Sequence, residues 1–71
     1  MPVYTLVVTT AEGHQHSTLS DFPSDEVAIG DAGRLISAED PSVAIARDVG
    51  DVMEFLGAWD WGDGSAAWNR D

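Results

Sequence analysis

The stretch Val52-Met53-Glu54-Phe55-Leu56-Gly57-Ala58-Trp59-Asp60-Trp61-Gly62-Asp63-Gly64-Ser65-Ala66-Ala67-Trp68 decides how this chain is read. It holds all three tryptophans, one of the two phenylalanines, and Glu54, Asp60 and Asp63, with no base among them. Large aromatics dominate the energetics of cores and interfaces. In a chain of 71 residues, whatever packs on these rings is most of the protein. Val52 to Trp61 reads as a strand in which Met53, Phe55, Trp59 and Trp61 share parity, with Gly57 between them as the mark of a bulge or of another backbone lying close. Gly62-Asp63-Gly64 is a hairpin signal. Ser65 to Asn69 then forms a short fifth strand that sets Trp68 across from Trp59 or Trp61. On this parity Phe55, Trp59 and Trp61 build a core, Glu54 and Asp60 face outward, and Trp68 is the ring left exposed.

Working outward, the segment before it, Ser42 to Asp48, reads as a strand with Val43, Ile45 and Arg47 on one face and Ala44 and Ala46 on the other. Val49-Gly50-Asp51 is the tight turn between the two. At the other end of the chain, Pro2 to Thr10 is a strand whose Tyr4-Leu6-Val8 face is the core side. Its second face, Val3-Thr5-Val7-Thr9, is also rather apolar, which predicts a central place in the sheet. Ala11-Glu12-Gly13 turns the chain, and His14 to Ser20 returns as a polar edge strand anchored by Leu19. One helix is expected from Ser24 to about Ala38. Ser24 serves as N-cap there, or Asp21 does with Pro23 in the first turn. Asp25 and Glu26 suit the positive end of the helix dipole, and Pro41 forbids continuation. Short connections favour antiparallel pairing. The expected fold is α+β: one domain over residues 1–71, with an antiparallel four- to five-stranded sheet in the order ββαββ(β). The helix packs on one sheet face and leaves the other solvated or used.

Composition narrows the function. Thirteen acids face three bases, a net charge of −10, and lysine is absent. Phosphate binding needs clustered cations, so direct binding of nucleic acid or of an anionic membrane is not expected. A basic partner would be attracted and steered. The plain alternative is that acidity serves solubility alone. There is no cysteine, hence no disulfide and no thiolate metal site. That composition, with no secretory leader and no apolar span, leads to a cytoplasmic expectation.

The chemical motifs are incomplete. His14 and His16 share one strand face as half of a zinc site would, but no third ligand is set by spacing, and solvent-facing edge histidines are the preferred reading. Asp60-x-x-Asp63 lacks the acidic ladder and terminal bidentate Glu of a calcium loop. The carboxylate pairs Asp25-Glu26, Glu39-Asp40 and Asp48 with Asp51 have no cleft to work in. Without lysine there is no phosphate loop. No enzyme, cofactor or metal is expected. Tryptophan beside acid is a good composition for gripping an arginine-rich surface. The residues expected to bind a partner are therefore Asp48, Asp51, Glu54, Asp60, Asp63 and Trp68, the first three clustered on one hairpin.

In size, lack of cysteine, acidity and β-β-α-β-β order, the chain resembles the small phage-encoded anti-CRISPR inhibitors. The resemblance implies a stoichiometric inhibitor that imitates the charge of nucleic acid and occupies the basic site of a protein or ribonucleoprotein, such as a CRISPR effector complex. It transfers no individual residue. A second expectation, from the residues themselves, is a regulatory or antitoxin-like module that dimerises or binds a protein through its open sheet face or edge strand, with Val3 and Val7 sensitive to mutation.

Overall fold

The computed structural model describes residues 2–70. Its elements are β1 (Val3–Thr9), β2 (Gln15–Asp21), α1 (Asp25–Gly33), β3 (Ser42–Val49), β4 (Val52–Gly62) and β5 (Ser65–Arg70). The five strands form one antiparallel sheet in the order β2-β1-β3-β4-β5, so the fold is α+β. No helix among the described residues is long and apolar enough to cross a membrane.

Sequence chemistry explains each connection. Gly13 has φ 91 in the β1–β2 turn, and Gly50 has φ 62 at the first central position of the two-residue β3–β4 turn. Asp63 and Gly64 have φ 51 and 80. That is the Asp-Gly pair a two-residue hairpin favours, because both central residues need positive φ. Ser24 caps α1 and accepts a hydrogen bond from the Val27 N–H at 3.3 Å. Asp25 and Glu26 occupy its first turn as expected.

The helix is shorter than its apolar spacing predicts. It stops at Gly33, not near Ala38, and closes with tighter i to i+3 bonds from the Arg34 and Leu35 N–H groups to Asp31 and Ala32. Gly33 lies against the Trp59 indole, where an added Cβ would sit 2.9 Å from ring carbons. Ile36 is buried beyond the helix end, whereas Leu35 is exposed.

One sheet face carries the core. Tyr4, Leu6, Val43 and Ile45 are buried there with Ala28, Ala32 and Ile36, and Val8, Phe22, Trp59, Trp61 and Trp68 pack around them. The first strand is interior to the sheet as expected, and β3 is the middle strand of the five. β1 lies one strand in from the edge, between β2 and β3. β2 is the expected polar edge, but Leu19 does not anchor it. Leu19 pairs with Thr5 on the face away from the helix and is 69% exposed. Its parity is that of the outer side chains of β1, and no helix or strand covers that face among the described residues.

Candidate functional site

The deciding feature of β4 is a register shift opposite Ile45 and Ala46: Gly57 pairs with Ile45, Phe55 pairs with Ala46, and Leu56 is the extra residue. A bulge of this kind reverses parity along the strand. Beyond it, Gly57, Trp59 and Trp61 lie on the helix side, and Ala58 and Asp60 on the open side. Before it, Glu54 lies on the helix side opposite Arg47, and Met53 and Phe55 on the open side opposite Asp48 and Ala46. The expected shared parity of Met53, Phe55, Trp59 and Trp61 is thereby corrected. Phe55 is not a core ring under the helix but is 49% exposed. Glu54 and Asp60 do not share a face.

Gly57 meets both demands the sequence suggested for it. It forms the bulge, and its φ of 150 lets the Asn69 carbonyl and the Trp68 ring approach where a side chain would stand. Trp68 lies opposite Trp59 in register, with ring centroids 5.5 Å apart. It is half-buried, so it is not the exposed ring; Phe55 is. The Trp59 indole N–H donates to the Ile29 carbonyl at 2.8 Å, tying the aromatic pair to the helix.

Of the six residues expected to bind a partner, three gather at the β3–β4 hairpin: Asp48 near its end, Asp51 in the turn and Glu54 just after it. They point differently. Asp48 is on the open face and accepts a hydrogen bond from the Thr5 hydroxyl at 3.3 Å. Asp51 is exposed. Glu54 is engaged by Arg47, whose guanidinium also donates to Asp25 at 2.7 Å. Tyr4, buried in the core, donates its hydroxyl to the other oxygen of Asp25 at 2.5 Å. Asp60 lies toward the far end of β4 and accepts from the Asn69 side-chain amide at 2.7 Å, and Asp63 is in the last turn. The hydrogen bond from Tyr4, with the charge and hydrogen bond of Arg47, holds the Asp25 carboxyl below its usual range against an opposing effect of burial. Burial first, and then Asp25, raises the Tyr4 phenol. Sequence reading missed this network because Asp25 and Arg47 are 22 residues apart and only the helix–sheet docking joins them.

The open face was foreseen as a solvated or usable surface without its contents. Val3, Thr5, Val7, Leu19, Ala46, Met53 and Phe55 make it apolar toward the β3–β4 hairpin, and Asp21 and Asp48 flank Val3 on either side in register. Those two carboxylates are two strand spacings apart, roughly 10 Å. Asp60 stands at the other end. Arg47 and Arg70 align with Glu54 and Gly57 on the opposite face, and Arg34 caps the helix, so no base shares the open face among the described residues. His14 lies beside Glu12, Glu39 and Asp40 around a shallow hollow. No three His, Asp or Glu side chains among the described residues are grouped to hold a metal ion. No family model, no curated protein and no solved structure matches this chain.

Proposed function

We propose that this chain is a non-enzymatic inhibitor. Its acidic surface occupies the basic nucleic-acid-binding site of a protein or ribonucleoprotein in the cytoplasm and blocks DNA binding there, a CRISPR effector complex being the partner its resemblance suggests. The carrying observation is how the charge is distributed. Both ion pairs among the described residues belong to Arg47, which engages Asp25 and Glu54. Asp48, Asp51, Asp60 and Asp63 have no cationic partner there. They stand toward the two ends of an eleven-residue strand, which at ~3.3 Å per residue runs for roughly 36 Å. That matches the longest extent of the molecule, 36 Å. Such an array keeps its field for a partner whose cations are also spread over an extended groove. Glu54 also holds the hairpin through Arg47, and Trp68 packs against Trp59 behind β4.

The test uses the tagged protein to capture a DNA-binding partner and measures competition with duplex DNA. Competition should weaken at least tenfold between 50 and 500 mM salt, and again on Asp48→Lys with Asp51→Lys. Binding indifferent to both would end this reading.

One observation favours a second reading. Leu19, Met53 and Phe55 are large, exposed and on one face, which suits a regulatory module that pairs through its sheet. Sedimentation at rising protein concentration separates the two. A dimer lost on Leu19→Ser and kept on Asp51→Lys favours the second.

A further inference from the structure

We propose that β4 accepts an extended segment of its partner as an added strand along Val52–Leu56, and that this segment alternates apolar and basic side chains. The inference rests on the reading of the chain as a binder of basic partners and names the element that is bound.

Among the described residues the fifth strand covers only part of the fourth. β5 pairs with β4 from Gly62↔Ser65 to Gly57↔Arg70. On that side Val52–Leu56 has no strand beside it among the described residues, although it is held by β3 on the other side. A strand edge of this sort presents unpaired N–H and C=O groups, and proteins ordinarily blunt such edges with charge, proline or a cover. Here the edge is apolar instead: Val52, Met53 and Phe55 are all exposed. A groove enclosing about 380 Å³ runs beside it, bounded by Asp25, Glu26 and Ile29 of the helix, by Phe55 and Leu56 of the edge, and by Arg70 at its end. Edge, groove and exposed apolar side chains coincide, which is the arrangement that strand addition uses: main-chain bonds give affinity and alternate side-chain pockets give selectivity.

The chemistry of the added strand follows from the two faces it would join. Its open-side residues would lie beside Met53 and Phe55, which calls for apolar side chains. Its helix-side residues would lie beside Val52 and Glu54 and face Glu26. Arg47 pairs with Asp25 and Glu54 there and Arg70 stands at the end of the groove, but Glu26 and Asp51 beside the edge have no cationic partner among the described residues. Arginine or lysine at every second position satisfies both faces. A second copy of this chain fits poorly, since each copy brings a net charge of −10 to the contact.

The test titrates the full chain, labelled with 15N, with four synthetic nine-residue peptides. The first alternates arginine and valine. The second has the same composition in two blocks. The third and fourth are the alternating peptide N-methylated at every valine or at every arginine, so that each blocks one edge of the peptide strand while keeping its charge. The expected result is saturable binding of the alternating peptide with shifts at Val52–Leu56 and Glu26. One methylated peptide should bind at least tenfold more weakly, and the other should bind nearly as well as the parent. If all four bind alike and only salt weakens them, strand addition is wrong while the acidic-surface reading survives. If none binds, or if the edge resonances shift with protein concentration alone, the inference is overturned.

Discussion

Gly57→Ala probes the bulge from which the faces of β4 follow. Two separate penalties meet at this position. The first is conformational: a φ of 150 is one that side-chain-bearing residues rarely adopt, and holding one there costs about 1–3 kcal/mol. The second is steric. The new methyl would overlap the Asn69 carbonyl and stand 2.8 Å from Trp68 Cζ2. The carbonyl belongs to the paired strand β5 and cannot retreat without breaking the β4–β5 ladder. The Trp68 ring is held against Trp59. Overpacking of this kind costs about 1–3 kcal/mol. The sum, roughly 2–6 kcal/mol, is comparable with the ~3–5 kcal/mol that a single core of this size supplies. The variant should therefore unfold, or release β5, at room temperature. Urea unfolding followed by tryptophan fluorescence reads the first outcome. Loss of amide protection confined to Ser65–Arg70 reads the second. Two controls apportion the cost. Gly50→Ala carries positive φ with nothing within 4 Å, so it reports the conformational penalty alone, about 1–2 kcal/mol. Gly62→Ala has neither and should fall within about 0.5 kcal/mol of the parent. A Gly57→Ala protein no less stable than Gly50→Ala would refute both the close approach and the bulge that requires it.

Other outcomes follow from single contacts. Gly30 sits in the helix with nothing within 4 Å of a built Cβ, so Gly30→Ala should stabilise by about 0.5–1 kcal/mol in urea titration. Tyr4→Phe removes the hydroxyl that binds Asp25 and should cost about 1–2 kcal/mol near neutral pH. It should also flatten stability against pH at both extremes. The Asp25 carboxyl is depressed on folding, so its contribution is complete above the unfolded value of about 3.9 and is lost as pH falls through the lower folded value. The Tyr4 phenol is raised on folding, so its contribution is present below about pH 10 and is lost as pH climbs through the higher folded value. Urea midpoints between pH 2 and 5 and between pH 9 and 11 check both limbs. Leu19→Ser should change stability by no more than about 0.5 kcal/mol, whereas Ile45→Ala at the centre of the core should cost about 2–5 kcal/mol.

Much of the fold was legible because its signals are local. Alternation in Val3–Thr9, the Asp63-Gly64 pair and Ser24 before an acidic first turn each act through their immediate neighbours. The sequence set Trp68 across from Trp59 or Trp61, and the two-residue Asp63-Gly64 turn fixes the partner as Trp59. Where sequence reasoning failed, the cause was a departure from ideal period. One extra residue at Leu56 shifts Glu54 and Phe55 to the faces opposite those alternation assigns. Glycine at 57 hinted at the bulge, but the hint does not say on which side of it the count resumes. Leu19 failed for a different reason. Its hydrophobicity suggested an anchor, while its register with Thr5 put it on the face the helix does not reach. The acidic cluster was legible as a location and not as a set of directions, because the bulge at Leu56 decides which face Glu54 takes and only helix docking brings Asp25 to Arg47.

The bulge also ties the structural and recognition roles of the carboxylates together. Without the extra residue, Glu54 would share a face with Asp48 and Asp60, and Arg47 would have Asp25 alone. The open face would then gain a fourth acid, and the docked helix would lose half of the ion pairing at its N-terminal end. With it, Glu54 joins Arg47 beneath the helix, and Phe55 takes the place on the open face that a strict alternation gives to Glu54. A carboxylate is exchanged for a ring at the one strand segment that β5 leaves uncovered. Edges that stay solvated in nature are charged, and this one has its charge turned toward Arg47 and its ring turned toward solvent. The same bulge that brings Glu54 to Arg47 thus leaves the uncovered edge apolar in the middle and acidic around it. That combination favours a partner that brings both backbone and cations.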